Sequence, residues 1–147
     1  MKKAAVARNF ATLAFLLAFL VVLPVLRADE WNQAVRFTFS QPVQIPGQVL
    51  PAGTYVFEMV SNFNHEFVRI SNADRTNVIA LIPAIPTQQR GLSGKPAIIL
   101  AERRESQPEA IVAWSYSGRV EGHQLLYPKQ MQNELAKHKQ ETIVVGD

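Results

Sequence analysis

From residue 35 onward, the sequence is a series of short segments in which apolar and polar residues alternate. In residues 35–40, Val35, Phe37 and Phe39 share one side and Arg36 and Thr38 the other. A period of two is typical of a strand with one buried face. Similar segments, alternating or continuously apolar, lie between turn-forming residues at 43–45, 54–60, 65–71, 78–82, 97–102, 110–116 and 124–127.

Helical periodicity is absent between these segments, which excludes a strand–helix–strand repeat. We therefore expect an all-β domain, an antiparallel barrel or sandwich of seven to eight short strands. Pro42 and Pro46 restrict residues 43–45 to an edge or bent strand, and Pro83 is expected to end the strand at 78–82. Sequential hairpins favour an up-and-down strand order.

The period changes after Pro128, a residue that suits the first turn of a helix. Met131, Leu135 and His138 recur at helical spacing. This pattern predicts one C-terminal amphipathic helix over residues 129–140. Residues 141–147 form either a tail or a short added strand at 142–145.

The N-terminus has the features of an export signal. Lys2, Lys3 and Arg8 precede an uncharged run from Phe10 to Leu26, which is the pattern of a signal peptide. We expect residues 1–28 to be removed after Ala28, leaving residues 29–147 as a single periplasmic or extracellular domain. The alternative is an uncleaved N-terminal membrane anchor, because the run is near the short limit of a membrane span.

The basic charge of the chain belongs to this N-terminal segment. The formal net charge is +3, but residues 1–28 hold Lys2, Lys3, Arg8 and Arg27 and no acidic residue. The rest of the chain is close to neutral and its basic residues are dispersed, so no nucleic-acid partner is expected. Membrane contact is expected only through the N-terminal segment if it is not cleaved.

Two segments resemble a family of small exported bacterial β-domain proteins of uncharacterised function. One is Leu-Pro-Ala-Gly-Thr-Tyr-Val-Phe at residues 50–57, and the other is Tyr127-Pro128-Lys129 followed by Leu135-Ala136-Lys137. The resemblance implies export and a β-fold, and it carries over no catalytic residues.

Catalytic and metal-binding patterns are absent from the sequence. The chain has no Cys and only three His, namely His65, His123 and His138, without metal-ligand spacing. The nucleophile-elbow motif G-x-S-x-G and a phosphate-binding glycine loop are both missing. Glu58, on an otherwise apolar strand, is expected to be solvated or paired with an Arg. We therefore predict no catalytic residue, metal or cofactor.

Aromatic side chains on the predicted strands are the candidates for a ligand-binding site. Phe37, Tyr55, Phe57 and Trp114 are expected to be core residues, or to line the interior if the sheet closes as a barrel. The predicted function is a non-enzymatic binding or interaction module with an unknown protein partner. One alternative is a lipocalin-like carrier of a small hydrophobic ligand. Another is a small hydrolase with a non-standard site, which would require a concave site that joins His123 to a carboxylate.

Overall fold

A computed structural model describes residues 33–62, 65–89 and 91–144 of the chain. The expected signal segment, residues 1–28, lies outside the described residues. Within them, ten strands form a single sheet with one short helix, α1. The bounds are β1 Ala34–Phe39, β2 Val43–Ile45, β3 Gln48–Leu50, β4 Gly53–Asn62, β5 His65–Asn72, β6 Val78–Thr87, β7 Ala97–Ala101, β8 Ala110–Ser115, β9 Gly122–Leu125, α1 Lys129–Leu135 and β10 Gln140–Val144.

The predicted all-β class with one C-terminal helix is confirmed, but the number of strands is higher than expected. No segment was predicted for β3, and β10 corresponds to the alternative of a short added strand at 142–145, although it begins earlier, at Gln140. β3 pairs with β2 in a hairpin whose turn contains Pro46 and Gly47. Gly47 has a φ of 86° there, and a glycine accepts this left-handed conformation without steric strain.

The strand order differs from an up-and-down arrangement. The main path runs β1-β4-β5-β6-β9-β8, and β7 and β10 follow on the other edge of β8. The β2–β3 hairpin lies on the same edge of β8 as β9. It is joined to β8 by one parallel pairing, between Gln44 of β2 and Ala110 of β8. The sequential antiparallel order is kept in β4–β5–β6, in β7–β8–β9 and in the β2–β3 hairpin.

The barrel alternative is wrong for the described residues, because their sheet does not close. Within these residues β1 pairs only with β4, β10 only with β7 and β3 only with β2, so the sheet has three end strands. The sheet nevertheless folds back on itself, since Phe57 of β4 lies 5.8 Å from Trp114 of β8 between ring centroids. Three strands separate β4 from β8 along the path.

Strand β6 continues through two prolines that were expected to end it. Pro83 O accepts a hydrogen bond from Leu126 N, so the backbone of Pro83 faces the β9 side, just before that ladder begins at Ala84. Pro86 then faces the β5 side, beyond the last pair of that ladder. Each proline thus lies outside the recorded pairs of the ladder that its backbone faces, so β6 continues through both.

The helix is shorter than its periodicity predicted. It ends at Leu135, which is buried, and not at residue 140. Lys139 O then accepts a hydrogen bond from Glu102 N, and residues 140–144 pair with β7. Pairing with a buried strand thus overrides weak helical propensity. No helix among the described residues is long and apolar enough to cross a membrane.

The Tyr127 hydroxyl connects the β2–β3 hairpin to β8 through hydrogen bonds. It lies 2.7 Å from Ile111 O and 3.0 Å from Gln44 O, and its single proton is shared between these two carbonyls. Burial raises the pKa of the Tyr127 phenol, opposed by the nearby Arg103, so the hydroxyl keeps its proton. The link matters because the parallel contact between β2 and β8 is short.

Replacing Tyr127 with Phe should lower the free energy of unfolding by about 1 to 2 kcal/mol, because buried carbonyl groups lose their donor. Urea unfolding followed by tryptophan fluorescence measures the change. Tyr116→Phe is the matched control: Tyr116 is also buried, and within the described residues its hydroxyl has no hydrogen bond. An equal effect of the two substitutions would contradict the role of Tyr127.

Candidate functional site

Three of the four aromatics predicted to bind a ligand pack against one another. Ring centroids of Phe37 lie 5.2 Å from Phe57 and 6.3 Å from Trp114, both edge to face. Tyr55 packs against Phe39, and its hydroxyl donates to Pro51 O at 2.7 Å. All four side chains are buried, and neither cleft described below is lined by any of them. Core packing accounts for their burial, and their ligand-binding role stays a prediction.

A polar cluster lies at one end of this aromatic core. His123 of β9 stacks on Tyr116, with ring centroids 5.5 Å apart and planes inclined by 9°. Its Nδ1 lies 3.4 Å from Oε2 of Glu66 on β5, a long contact. Trp114 lies 5.9 Å from His123 between ring centroids. Both His123 and Glu66 face the core side of the sheet, because their pairing partners Pro86 and Ala84 alternate with the outward-facing residues of β6.

Burial governs the charge state of His123. Loss of hydration lowers the pKa of the imidazole, and the positive charge of Arg119 acts in the same direction. The carboxylates of Glu66 and Glu121 oppose this shift without reversing it. His123 is therefore held as a neutral imidazole near neutral pH.

The hydrolase alternative required His123 beside a carboxylate in a concave site. His123 does meet Glu66, but neither residue lines either of the clefts described here. In the part of the chain that the structure describes, no group of three or more His, Asp or Glu could hold a metal ion. Glu58 has its expected Arg partner: its Oε2 lies 2.7 Å from Nη2 of Arg69.

The outward side of the sheet carries an apolar surface that we call the outer face. It consists of Val60 on β4, Phe67 on β5, and Leu81, Pro83 and Ile85 on β6. Val60, Phe67 and Pro83 are paired in register across the three strands, so their side chains lie on one side. Leu81 is 57% exposed and Ile85 43%. A contiguous apolar surface of this kind is typical of an interaction site.

Two clefts lie elsewhere on the domain. The first, of about 780 Å³, is bordered by β1, the loop before β2, the β7–β8 loop and Ile143 of β10. The second, of about 430 Å³, lies between α1 and β8–β9 and is bordered by Val112, Tyr127 and Leu135. The outer face is separate from both, since none of its residues lines either cleft.

Sequence reasoning missed the outer face. The run Val78–Ile82 is continuously apolar, and such a run does not distinguish a strand covered on both sides from one with an uncovered apolar side. Because of Pro83 and Pro86, the strand was expected to end before Pro83. Its continuation places Ile85 on the same side of β6 as Leu81. The useful signal was the alternation of Leu81, Pro83 and Ile85 with Ile82 and Ala84, which are buried.

The chain matches no protein-family model, and comparisons with curated proteins and with solved structures found no significant match.

The lowered pKa of His123 predicts a pH-dependent stability. Below the unfolded-state pKa of about 6.5, the unfolded chain binds a proton that the folded chain resists. The free energy of unfolding should therefore decrease as the pH falls from 6.5 toward the folded-state pKa, with a slope of at most about 1.4 kcal/mol per pH unit. Urea unfolding at pH 7.5 and at a series of lower pH values measures this slope.

His123→Phe should reduce the slope while keeping an aromatic ring against Tyr116. His65→Phe is the control, because His65 is exposed, and it should retain the wild-type slope. If His123→Phe and the wild type lose stability in parallel between pH 6.5 and 5, the assignment to His123 is wrong.

Proposed function

We propose that this chain is an exported, non-enzymatic interaction module that binds a partner protein through the outer face. The observation that carries the proposal is the exposure of Leu81 and Ile85 in line on β6, next to the half-buried Phe67 and Val60. Exposed large apolar side chains on a regular sheet lose unfavourable hydration when a partner covers them.

The surroundings of the outer face support a protein partner. The Glu58–Arg69 ion pair borders the apolar residues on the same side of the sheet, since Arg69 is paired in register with both Glu58 and Leu81. On the neighbouring strand β9, Gln124 is paired in register with Ile85, so it borders the outer face as well. An apolar centre with polar residues around it is the common arrangement of protein interfaces. A small ligand usually requires a concave site, and no residue of the outer face lines either of the described clefts. This surface therefore suits a protein better.

Export is part of the proposal and rests on the sequence of residues 1–28. The partner is then expected in the periplasm or outside the cell. Intact mass spectrometry of the protein purified from the cell envelope should give a chain that begins at Asp29. A retained N-terminal segment would favour the membrane-anchored alternative.

Photo-crosslinking in intact cells tests the interaction. A photoreactive benzoylphenylalanine at position 81 should give a discrete adduct with one other protein, identified by mass spectrometry. The same group at position 120 should not give that adduct, because Val120 is 69% exposed but is not part of the outer face. The adduct should disappear when Ile85 is replaced by Asp in the same chain.

Val49→Asp is the matched control for Ile85→Asp. Val49 is 44% exposed, close to the 43% of Ile85, but lies on β3. It should leave the adduct intact. Absence of an adduct from position 81, equal labelling from position 120, or an adduct only with a second copy of the chain would each contradict the proposal.

A further inference from the structure

A second feature, independent of the outer face, is the unpaired edge of β1. Met59 N donates to Gln33 O at 3.1 Å, so the backbone groups of the odd-numbered residues of β1 face β4. In an antiparallel strand the alternate residues face the opposite edge. The N–H and C=O groups of Ala34, Arg36 and Thr38 therefore face away from β4, and they have no hydrogen-bond partner among the described residues.

The C-terminal end of this edge borders the larger cleft. Thr38 and Phe39 of β1 line it, together with Leu100 of β7 and Ile143 of β10. Ile143 is paired with Ile98, and Ile98 is paired with Trp114, so the side chain of Ile143 lies on the side of the sheet that holds the aromatic core. It is nevertheless 45% exposed, because no strand of the described residues lies between β10 and β1.

We propose that this cleft binds an extended segment of a partner protein, which adds to the sheet as a strand beside β1. Its backbone pairs with Ala34, Arg36 and Thr38, and every second side chain is apolar and packs on Phe39, Leu100 and Ile143. Backbone pairing at a strand edge provides affinity, and pockets for alternate side chains provide specificity.

The shape and charge of the cleft favour an extended segment over other occupants. The β7–β8 loop, residues 102–109, forms one wall, so a second folded domain has less access than a single strand. The rim carries Arg103 and Arg104 as well as Glu102, Glu105 and Glu109, so neither sign of charge dominates. Backbone pairing and apolar contact are then the main contributions to binding.

Nuclear magnetic resonance titration tests this proposal. The probes are short synthetic peptides that alternate threonine with valine, isoleucine or phenylalanine, with a lysine at each end. At least one should shift the amide resonances of Ala34, Arg36 and Thr38 and slow their exchange with solvent. The same peptide with its alternate amides N-methylated should not bind, because it keeps the apolar side chains but loses the donors.

Two matched pairs of variants locate the site. Ile143→Asp should weaken binding by about tenfold or more, since an apolar contact of this size contributes at least that factor. Val144→Asp should not, because Val144 is similarly exposed, at 41%, but points to the other side of β10. Thr38→Pro, which removes the edge N–H, should abolish binding, whereas Thr38→Ala should retain it.

Three results would overturn the proposal. They are no binding by any peptide of the panel, equal binding of the N-methylated peptide, and shifts confined to the outer face. Shifts of the same β1 amides on raising the protein concentration alone would assign the edge to self-pairing instead. None of these results bears on crosslinking from position 81, so the two proposals fail independently.

Discussion

The contact of Trp114 with Phe37 and Phe57 determines how this sheet is arranged in space. Trp114 is fully buried, and its neighbours on β1 and β4 are separated from it along the sheet by β5, β6 and β9. The ring contacts therefore form only when the sheet curves until its first strands cover β8. Aromatic side chains of this size contribute much of the apolar area that a domain buries. The core thus favours a folded-back sheet.

Folding back does not require closure, and among the described residues the sheet stays open beside β1. Pairing of β1 with β10 would close the sheet, but among the described residues the cleft lies between them, lined by Thr38, Phe39 and Ile143. A β1 edge with unpaired backbone groups and a core-side residue that is half exposed are consequences of this geometry. The outer face is independent of it and depends on the outward residues of β6. Both features support the proposal of protein association.

The sequence predicted what depends on short-range patterns and missed what depends on long-range pairing. Alternation identified β1, because Phe37 is buried on one side while Arg36 and Thr38 are exposed on the other. The short β3 was missed because three residues do not establish a period. β10 was assigned partly to the helix because its pairing with the buried β7 is not visible in residues 136–144 alone. The proximity of Glu66 to His123 depends on β6 pairing with β5 and then with β9, which no local pattern shows.

The claim that β1 is a strand paired on one edge only is tested most directly by amide hydrogen exchange of the free protein, resolved by residue. Protection should alternate along β1: the amides of Val35, Phe37 and Phe39, which face β4, exchange slowly, and those of Ala34, Arg36 and Thr38 exchange rapidly. Uniform protection along β1 would show that its outer edge is already paired. Such a result would contradict the open sheet.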